Sequence, residues 1–194
     1  MQIKRRNIMQ QTKRKSGSSS SKSGEDAISL LTADHKTVKK LFKDFEKIKE
    51  ESGMDEEKAE IANQICVELS IHTQIEEEIF YPACHEAIEQ TDLLDEAKVE
   101  HASAKELISQ IESMQPDDEL FAAKVTVLGE YVNHHIEEEE GELFPQVKKA
   151  KMDIDQLGQE MLELKEELQS EIGISLDLSA KSKSKQSQSR RSSH

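Results

Sequence analysis

Apolar residues recur along this chain every three or four positions, the spacing that lines one side of an α-helix. Five such stripes can be drawn. The first runs from about Asp26 to Glu51 through Ile28, Leu31, Val38, Phe42 and Phe45, and Ser52-Gly53 closes it. The second, from Asp55 to Glu89, aligns Ile61, Ile65, Leu69 and Ile79, with Pro82 breaking or restarting the helix near its end. The third, Asp92 to Met114, aligns Leu94, Ala97, Ala104, Ile108 and Ile111 before Gln115-Pro116. The fourth, Asp117 to Ala150, aligns Val125, Leu128, Val132 and Leu143, with Pro145 near its end. A weaker seam from Asp153 to Ile172 carries Ile154, Leu157, Met161, Leu164 and Leu168. Long amphipathic helices joined by a few residues pack as antiparallel neighbours. The pattern therefore predicts an all-α fold: an up-down-up-down four-helix bundle, an additional C-terminal helix flanking it, and tails at both ends.

Composition sharpens this picture. Aromatics are 4% and tryptophan is absent, while the straight-chain residues that helices tolerate dominate. Residues 1–24 and 173–194 are rich in serine and basic residues and poor in apolar ones, so burial cannot offset the entropy of ordering them. They are expected to be disordered tails around a folded unit at 25–172. The net charge of −14 understates the segregation, because all 40 acidic residues lie between Glu25 and Asp177, outside the most basic stretches. Such an acidic body disfavours nucleic-acid binding by the bundle itself. The basic tails could instead make weak contacts with nucleic acid or an anionic membrane surface. No apolar run approaches a transmembrane span, and no apolar core of a secretory signal follows Met1. Cys66 and Cys84 fall inside helical patterns without zinc or redox spacing, which fits reduced, structural thiols in a cytoplasmic protein.

The chemistry lies in polar residues on the apolar stripes. Each long helix carries one histidine there: His35, His72, His101 and His135. The second and fourth also carry a glutamate four residues later, Glu76 and Glu139. At roughly 100° per residue, positions four apart project to one side, whereas Glu77 and Glu140 should point about 140° away, outward. His135 continues the stripe of Val132 and Glu139; His134 breaks it. The stretches HTQIEEEIFYP at 72–82 and HIEEEEGELFP at 135–145 match in register, and ADHKTVKKLF around His35 echoes VEHASAKELI around His101. The chain thus reads as two copies of one helix pair.

Exposed ion pairs between residues four apart, or a buried His/Glu network, would account for a single copy of this motif. Four histidines and two glutamates on apolar stripes point further, since two buried carboxylates need a cation. Imidazole and carboxylate without thiolate suit iron, manganese or zinc. Six such ligands are too many for one tetrahedral zinc, and they match two metals bridged by carboxylates. Iron is preferred over manganese or zinc because mixed nitrogen and oxygen ligation leaves room for redox change.

Asp34-His35, HTQIEEEIFYP, Glu100-His101 and HIEEEEGELFP together resemble the hemerythrin / HHE cation-binding family, over about residues 25–172. The resemblance implies a four-helix bundle holding two non-haem irons, with Glu76 and Glu139 bridging them and His35, His72, His101 and His135 as terminal ligands. It also implies a small exogenous ligand: dioxygen, another diatomic such as nitric oxide, or peroxide. Where oxygen-carrying hemerythrins have a second histidine four residues after the one matching His101, this chain has Lys105. That substitution leaves one iron with an additional open position unless Glu77 or Glu140 compensates, and it favours redox chemistry over reversible oxygen carriage. The leading expectation is a metal-binding protein that binds or senses the small ligand. The alternatives are a redox enzyme removing peroxide or nitric oxide, and an iron storage or donation protein.

Overall fold

The computed structural model describes the backbone of residues 25–89 and 91–191, with side chains described as far as Gly173. The basic segment 1–24 and the tail contacts expected of it lie outside the described residues. The elements in chain order are α1 (Ala27–Ile48), α2 (Asp55–Ile75), α3 (Tyr81–Ala87), α4 (Asp92–Glu112), α5 (Phe121–Glu138), α6 (Phe144–Lys149) and α7 (Ile154–Arg191). Five-residue π-helical turns, Glu76–Phe80 and Glu139–Leu143, fuse α2 to α3 and α5 to α6. Four long rods result, each packed on two others: α1 on α2 and α5, and α4 on α5 and α2. No helix among the described residues is long and apolar enough to cross a membrane.

Local chemistry sets the rod ends. Asp26 caps α1, its carboxylate accepting from the Ser29 amide at 3.0 Å and from the Ser29 hydroxyl at 2.7 Å. α1 stops at Ile48, and Gly53 supplies the left-handed φ of 80° in the turn that follows. α5 begins at Phe121 rather than Asp117, because Asp118 is held in a turn after Pro116 and accepts from the Gln115 amide at 2.8 Å. α7 overruns the expected end at residue 172: its backbone stays helical to Arg191, across a segment for which disorder is expected. Residues 174–191 contain no proline or glycine to break the helix, and their lysine, glutamine, arginine and alanine tolerate it, against the weaker preference of the serines that are commonest there.

Two apolar clusters fill the bundle. One holds Val38, Phe42, Leu69, Ala104, Val132 and Ile136. The other holds Leu31, Ile75, Phe80, Ala97, Leu143 and Phe144. Along α1 the chain passes from Leu31 through His35 to Val38; along α2 it passes from Leu69 through His72 to Ile75. The order alternates again in the next two rods, so the rods run up and down. The stripe histidines therefore form a polar layer between two apolar ones. α7 packs against α1 and α2 and adds the fully buried Met161 to the second apolar cluster.

Candidate metal centre

His35, His72, Glu76, His101, His135 and Glu139 all reach the polar layer, none more than 7% exposed. The inner nitrogens converge on two carboxylates. His72 Nε2 and His101 Nε2 lie 3.3 Å and 3.4 Å from Glu76 Oε2. His35 Nε2 and His135 Nε2 lie 3.2 Å and 3.5 Å from Glu139 Oε2. Two groups of atoms close enough to share an ion result: His35, His72, Glu76 and Glu139, and Glu76, His101 and His135. Glu76 belongs to both. His134, one residue from His135, faces out with its side chain 64% exposed.

The outer nitrogens explain the acids beside each motif. His35 Nδ1 donates to Glu140 at 2.8 Å, His101 Nδ1 to Glu77 at 3.1 Å and His135 Nδ1 to Glu100 at 2.8 Å. Asp34 faces His72 Nδ1 at 3.6 Å. The two halves use these acids alike. Asp34 and Glu100 serve the histidine of the next rod in their own half, whereas Glu77 and Glu140 reach across to the other half. This corrects the expectation that Glu77 and Glu140 point away. The α-helical period assumed for them fails at the π turns, which start at Glu76 and Glu139 and advance less per residue, so the following carboxylate stays beside the layer. Lys105 does not enter the layer. Its side chain is 46% exposed, and its ammonium donates to both oxygens of Glu77 at 2.7 Å and 2.6 Å.

Each π turn closes with a backbone N–H hydrogen bond five residues back, from Tyr81 to the Glu76 carbonyl and from Phe144 to the Glu139 carbonyl. Pro82 and Pro145 follow at the start of the next helix, where a missing N–H costs least. Tyr81 and Phe144 occupy matching places in the two copies and do different things. Phe144 stacks on His35 at 5.8 Å between ring centres. Tyr81 is buried, and its hydroxyl donates to Glu139 Oε1 at 2.9 Å and lies 3.4 Å from His101 Nε2. Sequence reasoning missed Tyr81, although the Tyr/Phe difference between the copies is the signal that marks it.

Carboxylates only accept hydrogen bonds, so in neutral His35, His101 and His135 the proton sits on Nδ1 and the Nε2 lone pair points inward. Burial, then repulsion from His135 and His72, lowers His101 to about 4, and burial also lowers His72, so both are neutral near pH 7. Burial pushes Glu76 well above the usual carboxylate range, and Glu139 pushes it further. Burial acts on Glu139 too, but the neighbouring His35, His135 and His72 outweigh it and hold the group at about 2. Apart from the proton that its raised pKa favours on Glu76, acceptors therefore face acceptors. Seven buried side-chain atoms among the described residues lack a hydrogen-bond partner, and all seven lie here: both Glu76 oxygens, Glu139 Oε2, His35 Nε2, both His72 nitrogens and Asp34 Oδ2. An inward ring of lone pairs with too few protons to pair them suits cations, and the donor set fits them.

The family model for the hemerythrin HHE cation-binding domain matches residues 26–147. The chain belongs to that family. A crystal structure of a hemerythrin HHE cation-binding domain-containing protein from Mycobacterium kansasii is 24% identical, with a TM-score of 0.65, covering 78% of this chain and 92% of that one. At that identity it supports the helical fold alone. A protein named DNA nickase, from Nostoc sp. (strain PCC 7120 / SAG 25.82 / UTEX 2576), is 28% identical over 119 residues, 61% of this chain. The match covers only 32% of that relative's length. In hemerythrin-family terms the chain is a helical bundle of cation-binding type, and α7 lies wholly beyond the matched segment.

Proposed function

We propose that His35, His72, His101 and His135, with Glu76 and Glu139, hold two non-haem irons bridged by the glutamates, and that this centre binds or senses dioxygen, nitric oxide or peroxide. The observation that carries the reading is the ring of buried lone pairs, Nε2 facing carboxylate oxygen, which only protons or cations can reconcile. Mixed imidazole and carboxylate ligation favours iron over manganese or zinc. When bound, iron would supply redox change and exchangeable coordination positions.

This chain's residues do the rest. The outer carboxylates fix the imidazole tautomers, Tyr81 holds Glu139 by a hydrogen bond, and the two apolar clusters keep bulk water out. A cavity of about 30 Å³ opens beside the histidines, with Val38, Leu69, Ala104, Val132 and Ile136 in its wall. That volume takes one or two small molecules, and the apolar wall suits an uncharged diatomic better than an anion. Peroxide or nitric oxide removal and iron storage are the competing readings. The nicking named in the Nostoc relative is not carried over, because the match spans a third of that protein and an acidic body repels a phosphodiester backbone.

Metal analysis and an optical spectrum of the iron-loaded protein test the proposal. About two irons per chain are expected, with near-ultraviolet charge-transfer bands after oxidation. His135→Ala should lose at least one iron, while His134→Ala keeps both. One metal per chain in a fully loaded sample, or equal loss in the two variants, would overturn it.

A further inference from the structure

Lys165 of α7 lies outside the segment matched to the family, yet its ammonium donates to Asp34 Oδ1. The pair is shielded, with side chains 15% and 13% exposed. The other Asp34 oxygen, Oδ2, has no hydrogen-bond partner and faces His72 Nδ1, which has none either, at 3.6 Å. The other three stripe histidines already have their outer nitrogens bonded to carboxylates at 2.8 Å, 3.1 Å and 2.8 Å. His72 is the one of the four whose carboxylate stands slightly off.

The internal repeat shows why. Asp34 corresponds to Glu100, which reaches His135 Nδ1 from a longer side chain and has no lysine bonded to it among the described residues. An aspartate is one methylene shorter, so its carboxylate must be placed by something else. Lys165 does this, gripping one oxygen and leaving the second aimed at His72.

We infer that α7 is part of the cation site. Lys165 is a positioning residue that sets Asp34, Asp34 sets the ring of His72, and the affinity of the ion held by His35 and His72 depends on a helix beyond the family's matched segment. The inference rests on the cation-binding reading of this layer. Its reach is specific: α7 packs on α1 and α2, the rods that carry His35 and His72, so only one of the two ions should respond.

Iron(II) titrated anaerobically into the metal-free full-length protein tests it, with Lys165→Met, Lys165→Arg, Asp34→Asn and the Lys165→Met/Asp34→Asn pair. Removing a partner behind a ligating histidine typically weakens a metal by about 10- to 100-fold. Lys165→Met should weaken one of the two binding events about 10-fold and spare the other. Lys165→Arg should restore it, and Lys165→Met should add little when Asp34→Asn is already present. Wild-type affinity for both ions in Lys165→Met, or an equal loss with and without Asp34→Asn, overturns the inference. The double variant carries the comparison if a lone buried Asp34 prevents folding. A wild-type chain that takes up no iron sinks the cation-binding reading instead. The clamp is then read from ¹⁵N resonances of the His72 ring, which should move in Lys165→Met; unmoved resonances overturn it.

Discussion

Glu76 is fully buried, and neither of its carboxylate oxygens has a hydrogen-bond partner. A side chain so placed destabilises the fold that carries it unless a cation is present. Because burial and Glu139 raise its folded-state pKa above the ordinary 4.5, the metal-free protein loses stability as pH rises above that value, where the unfolded chain releases the proton and the folded one resists. Glu76→Gln removes the charge and keeps the shape. The metal-free variant should be more stable than metal-free wild type by about 1–3 kcal/mol at neutral pH. The gap should narrow toward pH 5, and the variant should bind less metal. Urea unfolding at several pH values checks the first two points, and a wild type as stable as the variant at neutral pH would refute them. That Glu76 and the four histidines face inward is legible in the sequence, because each interrupts an apolar stripe at helical spacing. Tyr81 is marked only by its mismatch with Phe144 in the second copy, since Phe80-Tyr81 before a proline by itself reads as ordinary core.

At the scale of elements, the helices are legible and their interruptions are not. Both prolines announce a break, but the period of 3.6 residues gives no sign that a π turn precedes each one, and that turn brings Glu77 and Glu140 back beside the histidines. The tight seat of α7 is equally silent in sequence. A Cβ on Gly158 would meet the Glu25 carbonyl oxygen, and would lie 2.7 Å from the Ala27 nitrogen, at the capped start of α1. Backbone cannot step aside as a side chain can. In an isolated helix, glycine to alanine stabilises by about 0.5–1 kcal/mol. Here Gly158→Ala should instead destabilise by about 1–3 kcal/mol, as overpacking does, and loosen α7 from α1. Denaturant unfolding decides by sign alone, since a stabilised variant would mean that α7 does not press on the α1 start.

For the molecule as a whole, the four rods meet in one polar layer, and each contributes one histidine to it. The apolar clusters on either side hold the rods together, while the layer between them sets like against like. Ions bound there would link α1, α2, α4 and α5 at once and remove that repulsion, in a chain whose net charge is already −14. Stripping the metal should therefore lower the stability of the entire bundle rather than of one helix. For each ion, binding to the folded state alone contributes about 2.7 kcal/mol at a free concentration of 100 Kd. Calorimetry of chelated and iron-loaded protein should show a single transition shifted upward by loading, and amide exchange should slow around His72, His101 and His135 together. Glu76→Gln is the internal control, because its transition should move little on adding iron. A wild-type transition that stays put although two irons are bound would place those ions on the acidic surface, and the buried layer would then be a histidine–carboxylate network tuned by protons alone.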